Sequence, residues 1–279
     1  MNGIDLTVIW AAIIAFAVVV YVIMDGFDLG IGILFPNFKV GTDRDTAMNS
    51  IAPVWDGNET WLVLGGGGLL AAFPLAYAII LPALYAPLIA MLLGLVLRGV
   101  AFEFRWRDPS HRARWDFAFT AGSVIATFAQ GITLGALLQG ITVEGRAYAG
   151  GWWEWLTPFS LLTGFALLAG YALLGCCWLI WKTEGPLQRQ CYSYAGRLGI
   201  LLLIAIAVVS AATPFLEEEY YSRWLAYPGV IATAQIPLAT LVISVLFFRS
   251  LSKRQEAAPF FYALGLFGLC LVGLAVSMW

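Results

Sequence analysis

Histidine is nearly missing from this chain, with one in 279 residues, and Asp, Glu, Lys and Arg together make up only 11%. A buried haem iron needs axial His, Met, Cys or Tyr ligands from its protein. The lone His111 falls in the polar stretch between Arg105 and Arg114, where a solvated surface role is expected. Of the methionines, Met24 and Met91 sit in apolar runs, with Met278 at the very end. No His-rich or Asp-rich metal site can be assembled, so no metal and no haem is expected to be ligated here. The four cysteines, Cys176, Cys177, Cys191 and Cys270, form neither a CxxC pair nor a disulfide framework and read as packing residues. Phosphate-cradling loops, nucleophile elbows and zinc motifs are absent. So is any basic tail or basic–aromatic patch, which excludes nucleic acid as a partner. The opening MNGIDL lacks a positive n-region, so a retained first helix is expected rather than a cleaved signal peptide.

Apolar sequence is what abounds: 61% of residues are hydrophobic and the mean hydropathy is +0.84. Leu6–Met24, Phe117–Val143, Trp155–Trp181, Leu198–Leu216, Trp224–Phe248 and Ala257–Trp279 carry no charge. Each is about 19 to 27 residues, enough to cross a ~30 Å hydrocarbon core as a helix. Trp61–Leu97 is also charge-free but would make one helix of about 55 Å, too long for a single crossing. Pro74, Pro82 and Pro87 interrupt it, which predicts two helices joined by a tight turn near Tyr77–Pro82. The expected fold is therefore an all-α integral membrane protein of eight transmembrane helices. It forms a single domain, 1–279, of two four-helix bundles, 1–143 and 151–279.

Charge placement agrees with eight. Thirteen of the 15 Lys and Arg residues then share one side, with only Arg146 and Arg223 opposite, near Glu217, Glu218 and Glu219. By the positive-inside bias that side is cytoplasmic, and the amino terminus faces outward, to the periplasm in a Gram-negative cell. The 12 Trp residues gather at run ends as an interfacial belt.

Intramembrane acids are where function is expected. Asp25 and Asp28, spaced i, i+3, share one face of the first helix, and Gly26 and Gly30 make a seam for close helix approach. Asp56 and Glu59 share a face at the start of the second span, where a helix dipole favours negative charge. Gly65–Gly68 follow, requiring close helix contact or a local loosening. Arg98 lies deepest among the cations and is expected to neutralise Asp28 or Asp25; Glu103 and Arg105 follow it. Three readings fit these residues: a hydrated proton path from the cytoplasm, a structural ion-pair cluster, or the acidic site of an ion-coupled secondary transporter.

The strings Asp25-Gly-Phe-Asp28-Leu-Gly-Ile-Gly, Trp55-Asp56-Gly57-Asn58-Glu59-Thr-Trp61-Leu and Arg98-Gly-Val-Ala-Phe-Glu103 resemble subunit II of cytochrome bd-type quinol oxidases. The Gly-rich run and Glu59 are similar to the cyanide-insensitive branch. The resemblance implies a haem-free twin of a subunit I that holds two b-type haems and a further d- or b-type haem. That partner oxidises quinol and reduces dioxygen to water. It also implies that Asp56, Glu103 and Trp61 belong to a proton route. Asp25, Asp28 and Arg98 match motif positions for which a relay, a lateral quinone contact or subunit stability all remain open. A bound quinone, a small single-span accessory subunit, surrounding lipid and a bacterial inner-membrane location are further expectations. So is a ninth, peripheral helix beyond Trp279.

Overall fold

The computed structural model describes residues 5–278, and within them the chain is almost wholly helical. The expectations at the first four residues and at Trp279 lie outside the described residues. Twelve helices follow one another: α1 Leu6–Leu34, α2 Thr42–Ile51, α3 Trp55–Ala72, α4 Pro74–Ala83, α5 Tyr85–Arg107, α6 Arg112–Leu138, α7 Pro158–Lys182, α8 Gly185–Ala212, α9 Glu218–Leu225, α10 Gly229–Thr233, α11 Gln235–Ser252 and α12 Ala258–Met278. A small hairpin, β1 Val143–Glu144 and β2 Ala147–Tyr148, lies between α6 and α7.

Seven segments are long and apolar enough to cross a membrane: α1, α5, α6, α7, α8, α10 with α11, and α12. The 18-residue α3 is not among them, because Asp56, Asn58 and Glu59 crowd its first turns. The expected tight turn near Tyr77–Pro82 is incorrect. Those residues are helical, and the breaks fall at Phe73 and Leu84 on either side of α4. Pro74 opens α4, the position where a missing N–H is harmless, so this proline starts a helix instead of marking a turn.

Helix α1 organises the molecule. Asp5 caps it by accepting from the Thr7 amide at 2.9 Å. Its outer part, Leu6–Phe16, is exposed nearly all round, as a lipid-facing helix should be. From Asp25 to Gly32 it is buried on every side. Close approach to α7 makes this burial complete. A Cβ on Gly30 would run into the Tyr171 carbonyl, and one on Gly175 would meet the Gly30 backbone. The expected small-residue seam is thus the contact between the two halves of the chain. Polar ties elsewhere also join the halves: Trp178 Nε1 of α7 donates to Ser50 Oγ of α2 at 3.3 Å, and Tyr220 Oη of α9 to the Leu138 carbonyl of α6 at 3.2 Å. Gly65 and Gly68 take close contact with α1, beside Val18 and Ile14, while Gly66 and Gly67 face open space.

Candidate functional site

Three helices deliver the acid cluster. Asp25 and Asp28 hang from the buried turn of α1 and are both 0% exposed. Asn58, in the first turn of α3, donates through Nδ2 to Asp28 Oδ2 at 2.6 Å and to the Met24 carbonyl at 3.2 Å. One residue on, Glu59 accepts from Arg98 Nη1 at 2.9 Å. Arg98 comes from α5 and is 0% exposed, whereas the Glu59 side chain keeps 25% of its surface. The pair therefore runs from the protein interior to its edge. Arg98 is enclosed by the rings of Trp55 and Phe119, at 6.0 and 5.6 Å from its guanidinium carbon.

The direct ion pair of Arg98 is thus with Glu59, while Asp25 and Asp28, the expected partners, face its charge without a bond to it. Both Asp25 oxygens, one Asp28 oxygen, and Arg98 Nε and Nη2 have no hydrogen-bond partner. A buried carboxylate without partners costs several kcal/mol. Unsatisfied donors and acceptors side by side are the polar lining that a bridging water needs.

The other candidates sit apart. Asp56 is exposed at the start of α3. Glu103 is exposed on α5 and reaches only Arg107, at 3.7 Å. Trp61 is half-buried and packs edge-on against Phe16 of α1 at 5.9 Å. The sequence reading missed Asn58 as a member of the cluster, although a polar residue in the first turn of a span was the signal. It also missed a second network, centred on the buried Arg105 and Asp116. Arg105 Nη1 meets Asp45 at 2.7 Å, and Asp116 is shared by Arg105 at 2.5 Å and Arg44 at 2.7 Å. Asp116 stands one residue before a charge-free run and so read as a flank. This network ties α2, α5 and α6 together on the side where the basic loops gather.

Among the described residues no group of three His, Cys, Asp or Glu is placed to hold a metal ion. His111 is exposed and bonded to Asp108 at 2.9 Å, which does not fit a buried axial haem ligand. Cys176, Cys177 and Cys191 are buried thiols and Cys270 is half-buried.

The sequence matches the family described as cytochrome bd terminal oxidase subunit II over residues 6–279. It is 33% identical over 208 residues to the probable cytochrome oxidase subunit 2 of Haemophilus influenzae, covering 72% of this chain and 55% of that protein. The chain thus spans about half the length of that relative. It is 27% identical over 277 residues to the cytochrome bd ubiquinol oxidase subunit 2 of Bacillus subtilis, covering 97% of this chain and 77% of the other. A chain of the bd oxidase from Geobacillus thermodenitrificans has the same fold, with a TM-score of 0.80 at 15% identity, over 99% of this chain and 85% of that one.

Proposed function

This chain belongs to the cytochrome bd terminal oxidase subunit II family, and on that premise we propose that it is the haem-free subunit of a quinol:dioxygen oxidoreductase and carries protons inward from the cytoplasm. In this reading α3 makes the eighth crossing. The helices of 1–143 and of 151–279 form the two four-helix groups, and the basic loops face the cytoplasm. Subunit I supplies two b-type haems and a d- or b-type haem, oxidises quinol and reduces dioxygen. A bound quinone, an accessory single-span subunit and surrounding lipid are compatible with the outer faces.

The observation that carries the proposal is the graded burial of carboxyls. Asp56 is exposed, Glu59 half-buried, and Asp28 and Asp25 fully buried, in a sequence leading from the surface to the centre of the chain. Asp56 takes up the proton at the cytoplasmic end of α3. Glu59 passes it inward, and Arg98 holds the Glu59 carboxyl in place while offsetting the charge gathered there. Asp28 and Asp25 receive it among polar atoms that have no partner within the chain. Trp61 and Glu103 flank this path, and subunit I covers the exposed face that bears Asp56, Gly66 and Gly67. Arg98, walled in by Trp55 and Phe119, serves as the ion-pair partner rather than as a quinone contact.

Asp28→Asn in the assembled complex tests the route, since the amide can still accept from Asn58 but cannot carry a proton. Haem content should be retained while quinol-dependent oxygen uptake falls by about 10²-fold. Full haem content with undiminished uptake would remove Asp28 from the path. Loss of haem with unchanged activity per haem would instead assign the cluster a purely structural role.

A further inference from the structure

Three polar side chains outside the acid cluster, two of them buried and Gln130 half-buried, touch one another across three helices. Gln130 of α6 donates through Nε2 to Tyr21 Oη of α1 at 2.6 Å. Tyr171 of α7 donates through its hydroxyl to Gln130 Oε1 at 3.0 Å. Tyr171 is 0% and Tyr21 4% exposed, so neither hydroxyl has bulk water to turn to. The Tyr171 ring is fixed, stacked on Phe267 at 5.8 Å and pressed against Gly26.

This chain has a direction. Tyr171 gives its proton to Gln130, and Gln130 gives one to Tyr21. The Tyr21 oxygen is then occupied as an acceptor, which leaves its own O–H free to donate. Tyr21 stands one turn before Asp25 on the same face of α1. The groups that face the Asp25 carboxyl are the Arg98 guanidinium from α5 and the Tyr21 hydroxyl. Asp28 on α1 and Glu59 on α3 are the other acids beside this centre. A neutral amide does not pass protons readily, so the chain is not a conduit. Aligned donors polarise one another, however, and such a row makes its last hydroxyl, Tyr21 Oη, a stronger donor toward the Asp25 oxygens one turn away, which have no other partner.

We infer that Tyr171, Gln130 and Tyr21 form a positioning chain that orients the Asp25 carboxyl and links its environment to α7 in the other half of the molecule. The inference deepens the proton-route reading and rests on it for its purpose, though not for its geometry. The test uses the assembled complex and infrared difference spectra, in which Asp25 bands are those that vanish in Asp25→Asn. Tyr21→Phe should shift these bands most, Gln130→Met less and Tyr171→Phe least, with haem content retained in each. Tyr148→Phe, at the exposed hairpin, should leave them in place. Asp25 bands unmoved in both Tyr21→Phe and Gln130→Met would overturn the inference. Using Gln130→Met beside the tyrosine variants keeps the test open if Tyr171→Phe fails to assemble. Full turnover in Asp25→Asn together with shifted bands in Tyr21→Phe would remove Asp25 from the proton route while leaving the chain in place.

Discussion

Among the described residues, the buried charged side chains, Asp25, Asp28, Arg98, Arg105 and Asp116, all come from the first half of the chain. The second half buries hydroxyls such as Ser160, Thr163, Thr183, Ser244 and Ser250. Most of those hydroxyls are satisfied locally, although Thr163 also reaches the Gly131 carbonyl of α6 at 2.8 Å. Thr183 donates to the Leu179 carbonyl at 2.6 Å, Ser244 to Thr240 at 2.6 Å and Ser250 to Phe247 at 2.7 Å, each within its own helix. The backbone of a helix interior has no free N–H for a carboxylate, so Asp28 reaches Asn58 on α3 and Glu59 reaches Arg98 on α5. Similar apolar helices therefore enclose two chemistries: buried hydroxyls that one helix can satisfy mark the second half, and buried charges that need several helices mark the first.

The largest effect that would sharpen this contrast comes from Arg98→Leu. It strands Glu59 and the two buried aspartates, and should cost about 3–5 kcal/mol, read as a lowered denaturation midpoint in detergent. Adding Glu59→Leu should restore part of that loss, because removing both partners of a buried pair is far milder than removing one. Gly30→Val attacks the contact between the halves and should cost about 1–3 kcal/mol through overpacking, by the same measurement. Ser244→Ala, in the hydroxyl-lined half, should stay within about 1 kcal/mol. An effect as large as that of Arg98→Leu would break the comparison.

Asp108→Asn, in the loop after α5, should be the mildest. Hydrogen bonds from Ser110 and His111 hold the Asp108 carboxyl down at about 2. A depressed carboxyl stabilises the fold above its unfolded value of about 3.9, and that contribution fades as pH falls toward about 2. The variant should therefore lose midpoint less steeply than the parent across that acid interval.

Much of this was legible in the sequence. Long charge-free runs located the main helices, because in hydrocarbon the backbone must satisfy itself. The Gly26 and Gly30 spacing announced the close packing found against Tyr171 and Gly175. Proline was misread where it opens α4, since the residue that breaks a helix interior also suits a helix start. The partner of Arg98 was misassigned because one-dimensional depth cannot say which neighbour a helix faces. Gln130 and Asp116 were overlooked for related reasons. One is an uncharged polar residue within an apolar run, and the other sits at a run's edge. Their roles appear only when α1 and α7, or α2 and α5, are brought alongside.

The bare backbone contact between Gly30 and Gly175 has a mechanical consequence. Where two helices touch with no side chain between them, neither can slide or tilt without a collision, and polar ties elsewhere between the halves add to the restraint. A pump that alternately opens to either side requires one bundle to swing against the other. With its hinge fused in this way, the molecule is suited to serving as a rigid frame.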